Sequence, residues 1–249
     1  MNYLNMLTQL GIGSAHPGGY TSTLKLIDSI SLKPGCSILE VGCGTGRTAC
    51  LLAQKGYQVT AIDLHPEMIE KALHRNKFLQ QNITFEVGDI CAIPSASNQF
   101  DMVLAESVTN FADAQQAISE YYRVLKPGGT LYDREVIYLN PMAQDNVDDL
   151  QKFLGFAQLF SAEEWIAVLE SQRFTDIRLT DVKLMDERAA IEEHNYPDQY
   201  QLVSEGAYSN VLLWQTSLQY TQLFDRNQGF LGSAVLTGEK PQDGVAFAP

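Results

Sequence analysis

Short apolar runs rich in β-branched residues alternate with amphipathic stretches through the first half of the chain. The apolar runs predict strands over residues 37–41, 58–64, 83–89, 100–107 and 129–139. Between them, apolar positions recur at helical spacing and predict helices over residues 46–56, 66–80 and 112–126. Because strands that alternate with helices at this spacing are joined by right-handed crossovers, the pattern predicts an α/β fold with a parallel sheet and helices on both faces.

The second half of the chain is more helical. Its pattern predicts a helix over residues 161–174, a strand over 176–184, a long polar and aromatic helical insertion over 186–227 and a strand over 229–240. Neither an internal repeat nor a low-complexity linker divides the sequence, so we expect a single domain.

Composition and charge narrow the class of protein. The chain has 249 residues, of which 45% are hydrophobic and 19% charged, a globular composition that provides a sizeable core. Its formal net charge of −13 repels phosphate backbones, so we expect no nucleic-acid partner. The chain shows neither a basic export-signal region nor an apolar run of roughly 18 residues, which predicts a cytoplasmic protein with no membrane span. The four cysteines lack a C-x-x-C pair, so no metal site is expected.

Three glycines on alternate positions follow the first predicted strand. Gly42, Gly44 and Gly46 lie where the chain turns into a helix, in the segment "GCGTGR". Because glycine has no Cβ, the backbone N–H groups can approach a carboxylate or phosphate closely at the helix N-terminus. Asp63 ends the second predicted strand, where its carboxylate can accept hydrogen bonds from both hydroxyls of a ribose. The pattern therefore predicts a nucleoside ligand with a polar group on its 5′ side.

Two cofactors fit a nucleoside site of this kind. A dinucleotide site normally has the spacing G-x-G-x-x-G, whereas the third glycine here comes one position earlier. Asp89 ends the third predicted strand and can accept a hydrogen bond from an adenine amino group, while the Ile90 N–H can face a ring nitrogen. Glu40 adds a carboxylate that suits an α-amino group. These groups favour S-adenosylmethionine, and a nicotinamide cofactor is the alternative.

Four segments together resemble the class I S-adenosylmethionine-dependent methyltransferases. They are "ILEVGCGTGRTACLLAQKG", "VTAIDLHPEMI", "ITFEVGDI" and "YYRVLKPGGTL", within residues 35–140. The resemblance implies a Rossmann-like, mostly parallel sheet of seven strands with an antiparallel last strand. It also implies S-adenosylmethionine as cofactor, with contacts from Glu40, Gly42, Cys43, Gly44, Asp63, Leu64, Met68, Asp89, Ile90 and Glu106. We expect Leu64 and Met68 to pack against the adenine and ribose.

The same resemblance divides residues 1–249 into parts of one methyltransferase domain. These parts are an N-terminal cap segment (1–34), a cofactor-binding core (35–140), a segment that completes the sheet (141–185), a helical lid insertion (186–228) and the last strand (229–241).

The residues that follow the fourth and fifth strands are candidates for the acceptor site. Glu106 and Asn110 are expected near the transferred methyl group, and Glu106 resembles the acid at this point in the tocopherol, sterol and sugar methyltransferases. The segments "TNFAD" and "YYRVLKPGG" are similar to quinone-biosynthesis methyltransferases. Glu106 is a candidate base, a cation-stabilising carboxylate or a neighbour of the cofactor. Glu135 is a candidate substrate contact, with a local ion network as the alternative.

The segment "GSAHPGGYTST" (13–23) precedes the first strand. Its Pro-Gly-Gly turn leads into a predicted helix over 21–30 that Thr21 or Ser22 would cap. In class I methyltransferases this segment commonly folds over the cofactor, so His16 and Tyr20 are candidate pocket residues. His16 titrates in the range of a general base, and a structural hydrogen-bonding role is the alternative.

The insertion over 186–227 contains a stripe of aromatic residues: Tyr196, Tyr200, Tyr208, Trp214, Tyr220 and Phe224. Such a stripe is typical of core packing, and it is also typical of a lid that selects the acceptor. Acidic and aromatic lid residues would suit an amine through carboxylate and cation–π contacts.

The sequence thus predicts an enzyme that transfers a methyl group from S-adenosylmethionine to an O, N or C nucleophile of a small molecule. A non-catalytic S-adenosylmethionine-binding or regulatory protein on the same scaffold is the first alternative, and a nicotinamide oxidoreductase is the second. The sequence is compatible with a homodimer.

Overall fold

The computed structural model describes residues 1–141, 144–185 and 196–242. Its strands are β1 Ser37–Val41, β2 Gln58–Asp63, β3 Ile83–Val87, β4 Phe100–Glu106, β5 Leu125–Tyr138, β6 Thr175–Leu184 and β7 Leu231–Glu239. The helices of this described part are α1 Tyr3–Leu10, α2 Gly19–Ser29, α3 Arg47–Gln54, α4 Pro66–Leu79, α5 Ala114–Val124, α6 Gln144–Leu154, α7 Ala162–Ser171 and α8 Val211–Asn227.

The seven strands form one sheet in the order β3-β2-β1-β4-β5-β7-β6. All strand pairs from β3 to β5 are parallel, and β7 runs antiparallel to both of its neighbours, β5 and β6. The predicted Rossmann-like sheet of seven strands with an antiparallel last strand is confirmed. Strand order reverses between β1 and β4, so the carboxyl ends of these two strands border a crevice where open α/β sheets bind ligands.

A layer of helices covers each face of the sheet and packs against its apolar residues. On one face Tyr121 of α5 and Trp165 of α7 are fully buried against the strands. On the other face Ile27 of α2, Leu52 of α3 and Ile69 of α4 pack into a second cluster. Burial on both faces explains why the central strands read as continuous apolar runs rather than as alternating patterns.

Several element boundaries differ from the sequence prediction by a few residues; β3, for example, ends at Val87 rather than at residue 89, and two other differences have a clear physical cause. Helix α2 begins at Gly19 rather than near Thr21 or Ser22, and its N-cap is Gly18 in the left-handed region, with a φ of 77°. Strand β5 begins at Leu125, before the Pro-Gly-Gly turn that was expected to separate helix from strand. The Gly128 N–H donates to the Lys240 carbonyl, so backbone pairing at the end of β7 carries this segment into the sheet.

The insertion is only partly helical. Residues 186–195 lie outside the described residues, and 196–206 run without regular helix before a short 3-10 turn, Ala207–Ser209, and helix α8. Helices α1 and α6 were not predicted. Their apolar residues, such as Met6 and Leu150, are buried by tertiary packing.

Residues 196–204 form a strap across α4. Lys71 of α4 donates to the Leu202 carbonyl at 2.8 Å, and the Arg75 guanidinium makes two hydrogen bonds to the Asp198 carboxylate. The Arg75 Nε also donates to the Thr45 carbonyl at 2.8 Å. Because Thr45 lies in the glycine segment, Arg75 ties the strap to the loop after β1.

Candidate active site

A cavity of about 1060 Å³ opens at the carboxyl ends of β1, β2 and β4. One end, which we call the carboxylate end, is lined by Glu40, Asp63, Asp89 and Glu106. The other, which we call the aromatic end, is lined by Phe111, Phe153, Phe156, Tyr220 and Phe224, with apolar residues of α1, α6 and β7 around them. The volume is at the upper limit for a site that holds a single small ligand, so the cavity has room for two.

The glycine loop borders the carboxylate end. The Gly44 N–H donates to Asp63 Oδ2 at 2.8 Å, and Asp63 Oδ1 accepts from the His65 N–H at 2.9 Å. Gly44 has a φ of 52°, and a Cβ placed there would meet no described atom within 4 Å. The space in front of Gly44 therefore belongs to the cavity, as a ligand cradle requires.

The other two glycines of the loop have packing roles. A Cβ on Gly46, which has a φ of 71°, would lie 2.9 Å from Ala72 Cβ and from the Phe85 ring. A Cβ on Gly42 would overlap the Val108 side chain. Gly46 thus keeps α3 close to α4 and β3, and Gly42 lets the loop after β4 approach the loop after β1. Gly42 also lines the cavity, as does its neighbour Cys43.

Glu40 is a buried carboxyl group that lies close to two other carboxylates. It is buried at the carboxyl end of β1, and its Oε2 atom has no hydrogen-bond partner within the described part of the chain. Burial raises the pKa of this carboxyl well above its usual range, and the nearby charges of Glu106 and Asp63 raise it further. A cation at this place would relieve both effects. S-adenosylmethionine carries an ammonium and a sulfonium, so the donor set fits that cofactor.

The residues predicted to hold the adenine also line the cavity. Met68 and Ile90 are buried, whereas 60% of Leu64 is exposed at the rim. Asp89 lies two residues beyond the end of β3 and is exposed. Its Oδ1 atom accepts from the Cys91 N–H at 2.8 Å, which fixes the direction of the carboxylate. The structure thus brings the predicted cofactor residues together in the lining of one cavity.

Glu106 is the centre of a buried polar cluster at the carboxylate end. Its carboxylate accepts hydrogen bonds from Thr23 Oγ1 at 3.0 and 3.1 Å and from Thr48 Oγ1 at 3.3 Å. Arg134 Nε and His16 Nε2 lie 3.7 and 3.8 Å from Glu106 Oε1. Four groups on four segments of the chain therefore hold the carboxylate in place.

His16 lines the cavity beside Glu106. Burial lowers the pKa of its imidazole below the usual range; the Glu106 charge opposes this shift, and the positive charge of Arg134 adds to it. The Nδ1 atom has no hydrogen-bond partner among the residues that the structure describes. The lowered pKa favours the uncharged imidazole, which can take up a proton.

Asn110 and Glu135 do not line the cavity. The Asn110 side chain is fully buried and donates to the Val136 carbonyl at 2.8 Å. Glu135 Oε1 accepts from the backbone N–H groups of Val108 and Thr109 at 2.9 and 2.7 Å. Both residues shape the loop after β4, so we do not include them in the proposed substrate site.

Tyr20 faces a different part of the surface. Its ring lies beneath the Arg47 guanidinium, 3.7 Å from the guanidinium carbon, and meets the Tyr196 ring edge-on. It borders a small surface pocket next to the strap rather than the main cavity. Tyr20 therefore contacts the strap, and we do not include it in the substrate site either.

The aromatic stripe of the insertion divides between two roles. Tyr220 and Phe224 of α8 line the aromatic end, where Tyr220 stacks on Tyr3 of α1 at 5.2 Å between ring centroids. Tyr208 and Trp214 lie on the exposed side of the insertion. Helix α8 thus closes the aromatic end as a lid would.

In the ranges 1–141, 144–185 and 196–242, no three His, Cys, Asp or Glu side chains are grouped as metal ligands. The helices within those same ranges are all too short or too polar to cross a membrane.

A glycine loop after β1, an acid at the end of β2 and this strand order define a Rossmann-like S-adenosylmethionine site. Residues 39–133 match the family described as a methyltransferase domain. The chain is 31% identical over 229 residues to the uncharacterized methyltransferase YodH of Bacillus subtilis (strain 168), and the match covers 91% of this chain and 95% of that protein. The chain therefore belongs to the class I S-adenosylmethionine-dependent methyltransferases.

More distant relatives share the fold. Phosphoethanolamine N-methyltransferase 1 of Arabidopsis thaliana is 28% identical over 169 residues, which is 67% of this chain and 34% of that protein. A solved structure of Haemonchus contortus phosphoethanolamine N-methyltransferase 2 with S-adenosyl-L-methionine superposes with a TM-score of 0.72 at 23% identity, covering 96% of this chain and 57% of that one. The chain thus spans about a third to just over half of these two enzymes.

Family membership decides between the three functions left open by the sequence. The protein is an enzyme, S-adenosylmethionine is its cofactor, and the reaction is methyl transfer. The non-catalytic alternative and the nicotinamide alternative are set aside.

Proposed function

We propose that this enzyme methylates a hydroxyl or amine of a small, largely apolar acceptor that binds in the aromatic end. The observation that carries the proposal is the single cavity, whose carboxylate end suits the cofactor and whose aromatic end suits an apolar ring or chain. Glu106 and His16 line this cavity side by side, and we place the transferred methyl group beside them.

The carboxylate end would hold S-adenosylmethionine through residues already in place. Glu40 suits the α-ammonium group, the Gly44 loop suits the carboxylate, and Asp63 suits the ribose hydroxyls. Asp89 and the Ile90 N–H suit the adenine edge. When bound, the cofactor supplies an activated methyl group, so the protein needs mainly to align the nucleophile and exclude water.

His16 would take up the proton of the acceptor. As the hydroxyl or amine forms its bond to the methyl carbon, the carbon–sulfur bond breaks and its electron pair stays on sulfur. The proton of the nucleophile passes to His16, and the nearby Glu106 carboxylate stabilises the resulting imidazolium. The products are the methylated acceptor and the thioether form of the cofactor.

The lining argues against a phosphorylated acceptor. Among the described residues that line the cavity, Lys183 is the only lysine or arginine, and its ammonium lies 3.2 Å from Asp181. Relatives named for phosphorylated acceptors include the phosphoethanolamine N-methyltransferases and a geranyl diphosphate C-methyltransferase. A single neutralised cation suits a phosphate poorly, because phosphate sites normally gather several donors.

Transfer of a labelled methyl group from S-adenosylmethionine to a metabolite extract tests the proposal. We expect the label in an organic-extractable product that carries no phosphate, little label on phosphoethanolamine, and loss of transfer in His16→Asn. His74→Asn changes a half-buried histidine of α4 that does not line the cavity, so this matched control should keep full activity. Labelling of phosphorylated compounds alone, or full activity in His16→Asn, would contradict the proposed acceptor or the proposed base.

Four expectations from the sequence stay predictions: a single domain, a cytoplasmic location, a homodimer and the absence of a nucleic-acid partner. They accompany the proposed function and do not support it.

A further inference from the structure

Thr23 of α2 connects His16 to Glu106 through one hydroxyl group. Its Oγ1 lies 3.0 Å from His16 Nε2 and 3.0 to 3.1 Å from both carboxylate oxygens of Glu106. The side chain is fully buried and is not among the described residues that line the cavity. Thr23 can therefore act on the reaction only through His16 and Glu106.

The hydrogen bonds around this hydroxyl fix where its proton lies. A threonine hydroxyl has one proton to donate, and a carboxylate can only accept. The proton of Thr23 therefore points to Glu106, and its lone pair receives a proton from His16 Nε2. A neutral imidazole has a single N–H, so the lone pair of His16 is then on Nδ1.

One group competes with this arrangement. The Pro17 carbonyl lies near the His16 ring and raises the pKa of the imidazole against the larger effect of burial. A proton on Nδ1 would face that carbonyl. However, the described residues offer Nδ1 no hydrogen bond of normal geometry, whereas Nε2 has one at 3.0 Å.

We infer that Thr23 is a positioning residue that holds the His16 tautomer with the proton on Nε2 and the basic lone pair on Nδ1. The inference rests on the proposed role of His16 as the base. In that role the buried and unpartnered Nδ1 would accept the acceptor proton, and the Nε2–H would stay bonded to Thr23 while the charge of the imidazolium faces Glu106. Thr23 thus orients the His16 ring and fixes its tautomer, as the carboxylate does in a nucleophile–base–acid triad.

Nitrogen-15 NMR of the imidazole rings tests the tautomer without any acceptor. The protein has four histidines, so the His16→Asn variant assigns the signals. Above the pKa of His16, we expect a protonated Nε2 and an unprotonated Nδ1 in the wild type and in Thr23→Ser. The isosteric Thr23→Val lacks the hydroxyl and should show a mixture of both tautomers. Protonated Nδ1 in the wild type, or an unchanged single tautomer in Thr23→Val, would overturn the inference.

The second measurement is the rate of methyl transfer to the fraction of the metabolite extract that contains the acceptor. We expect Thr23→Val to lower kcat roughly 10- to 100-fold, since a positioned base contributes about 10²–10⁴ in rate. Thr23→Ser should restore most of the rate, and the Kd of S-adenosylmethionine should change less than about twofold in both variants. An equal loss of kcat in Thr23→Val and Thr23→Ser would indicate a packing role for Thr23 and overturn the inference. Full activity in His16→Asn would instead show that His16 is not the base, which contradicts the proposed function. The NMR measurement would still decide the tautomer of His16.

Discussion

Two glycines of the loop after β1 allow the same substitution to be compared in two surroundings. Gly44 and Gly46 both have left-handed backbones, with φ values of 52° and 71°. A Cβ on Gly44 would enter open cavity, whereas a Cβ on Gly46 would lie 2.9 Å from Ala72 and Phe85. Gly44→Ala should therefore damage cofactor binding, and Gly46→Ala should damage the fold.

The expected magnitudes follow from that geometry. An alanine held in the left-handed conformation lowers the free energy of unfolding by about 1–2 kcal/mol at either site. The lower conformational entropy of the unfolded variant offsets about 0.4–1 kcal/mol of this loss. Gly44→Ala should thus lose about 1 kcal/mol of unfolding free energy. Gly46→Ala adds overpacking of about 1–3 kcal/mol, so its total loss should be about 2–4 kcal/mol. In the cavity, the extra methyl group should weaken S-adenosylmethionine binding at least about tenfold, or ~1.4 kcal/mol.

Two measurements on each variant separate these effects. Denaturant unfolding gives the change in stability, and calorimetric titration well below the unfolding temperature gives the Kd of S-adenosylmethionine. Gly35→Ala is a useful third variant, because Gly35 also has a positive φ and open space but lies outside the cavity. Wild-type affinity in Gly44→Ala would refute the cradle, and a stability loss in Gly46→Ala no greater than in Gly44→Ala would refute the packing role.

Three further predictions concern buried charges. At a pH below the raised pKa of Glu40, cofactor binding should release a proton, because the arriving cation lowers that pKa. Calorimetry in buffers of different ionisation enthalpy should show the release, and Glu40→Gln should abolish it. Burial raises the pKa of the coupled carboxyl pair Asp133 and Glu135, so the folded state holds an extra proton and stability should fall as pH rises through the raised pKa of the pair. Asp133→Asn should change this part of the unfolding profile, and an unchanged profile would contradict the assignment. Asp198→Ala leaves Arg75 buried without its carboxylate partner, which should lower the free energy of unfolding by about 3–5 kcal/mol and speed hydrogen exchange in the strap. Unaltered exchange in the strap would show that this ion pair does not hold the strap in place.

The parts of the site that the sequence predicts are those that local pattern determines. Gly44 and Asp63 each follow an apolar run, and the carboxyl ends of neighbouring parallel strands must meet at one edge of the sheet. The hydrogen bond between these two residues is a direct consequence. No knowledge of tertiary packing was needed to place them together.

The acceptor side depends on contacts that no local pattern encodes. Thr23 and Glu106 are 83 residues apart, and only the packing of α2 against β4 brings them within 3.1 Å. Glu135 was expected in the cavity, yet its carboxylate turns to the backbone of the loop after β4 because buried N–H groups there need an acceptor. Helix α1 is eight residues long and is held through residues such as Tyr3, which stacks on α8. Helices this short form by tertiary packing rather than by propensity.

A crystal structure with bound S-adenosylhomocysteine tests the central claim most directly. We expect the ribose at Asp63, the adenine beside Asp89 and Ile90, the amino group at Glu40, and an aromatic end still open to an acceptor. Adenosine bound at the aromatic end, or a Glu40 carboxyl with no contact to the ligand, would contradict the division of this cavity into a cofactor end and an acceptor end.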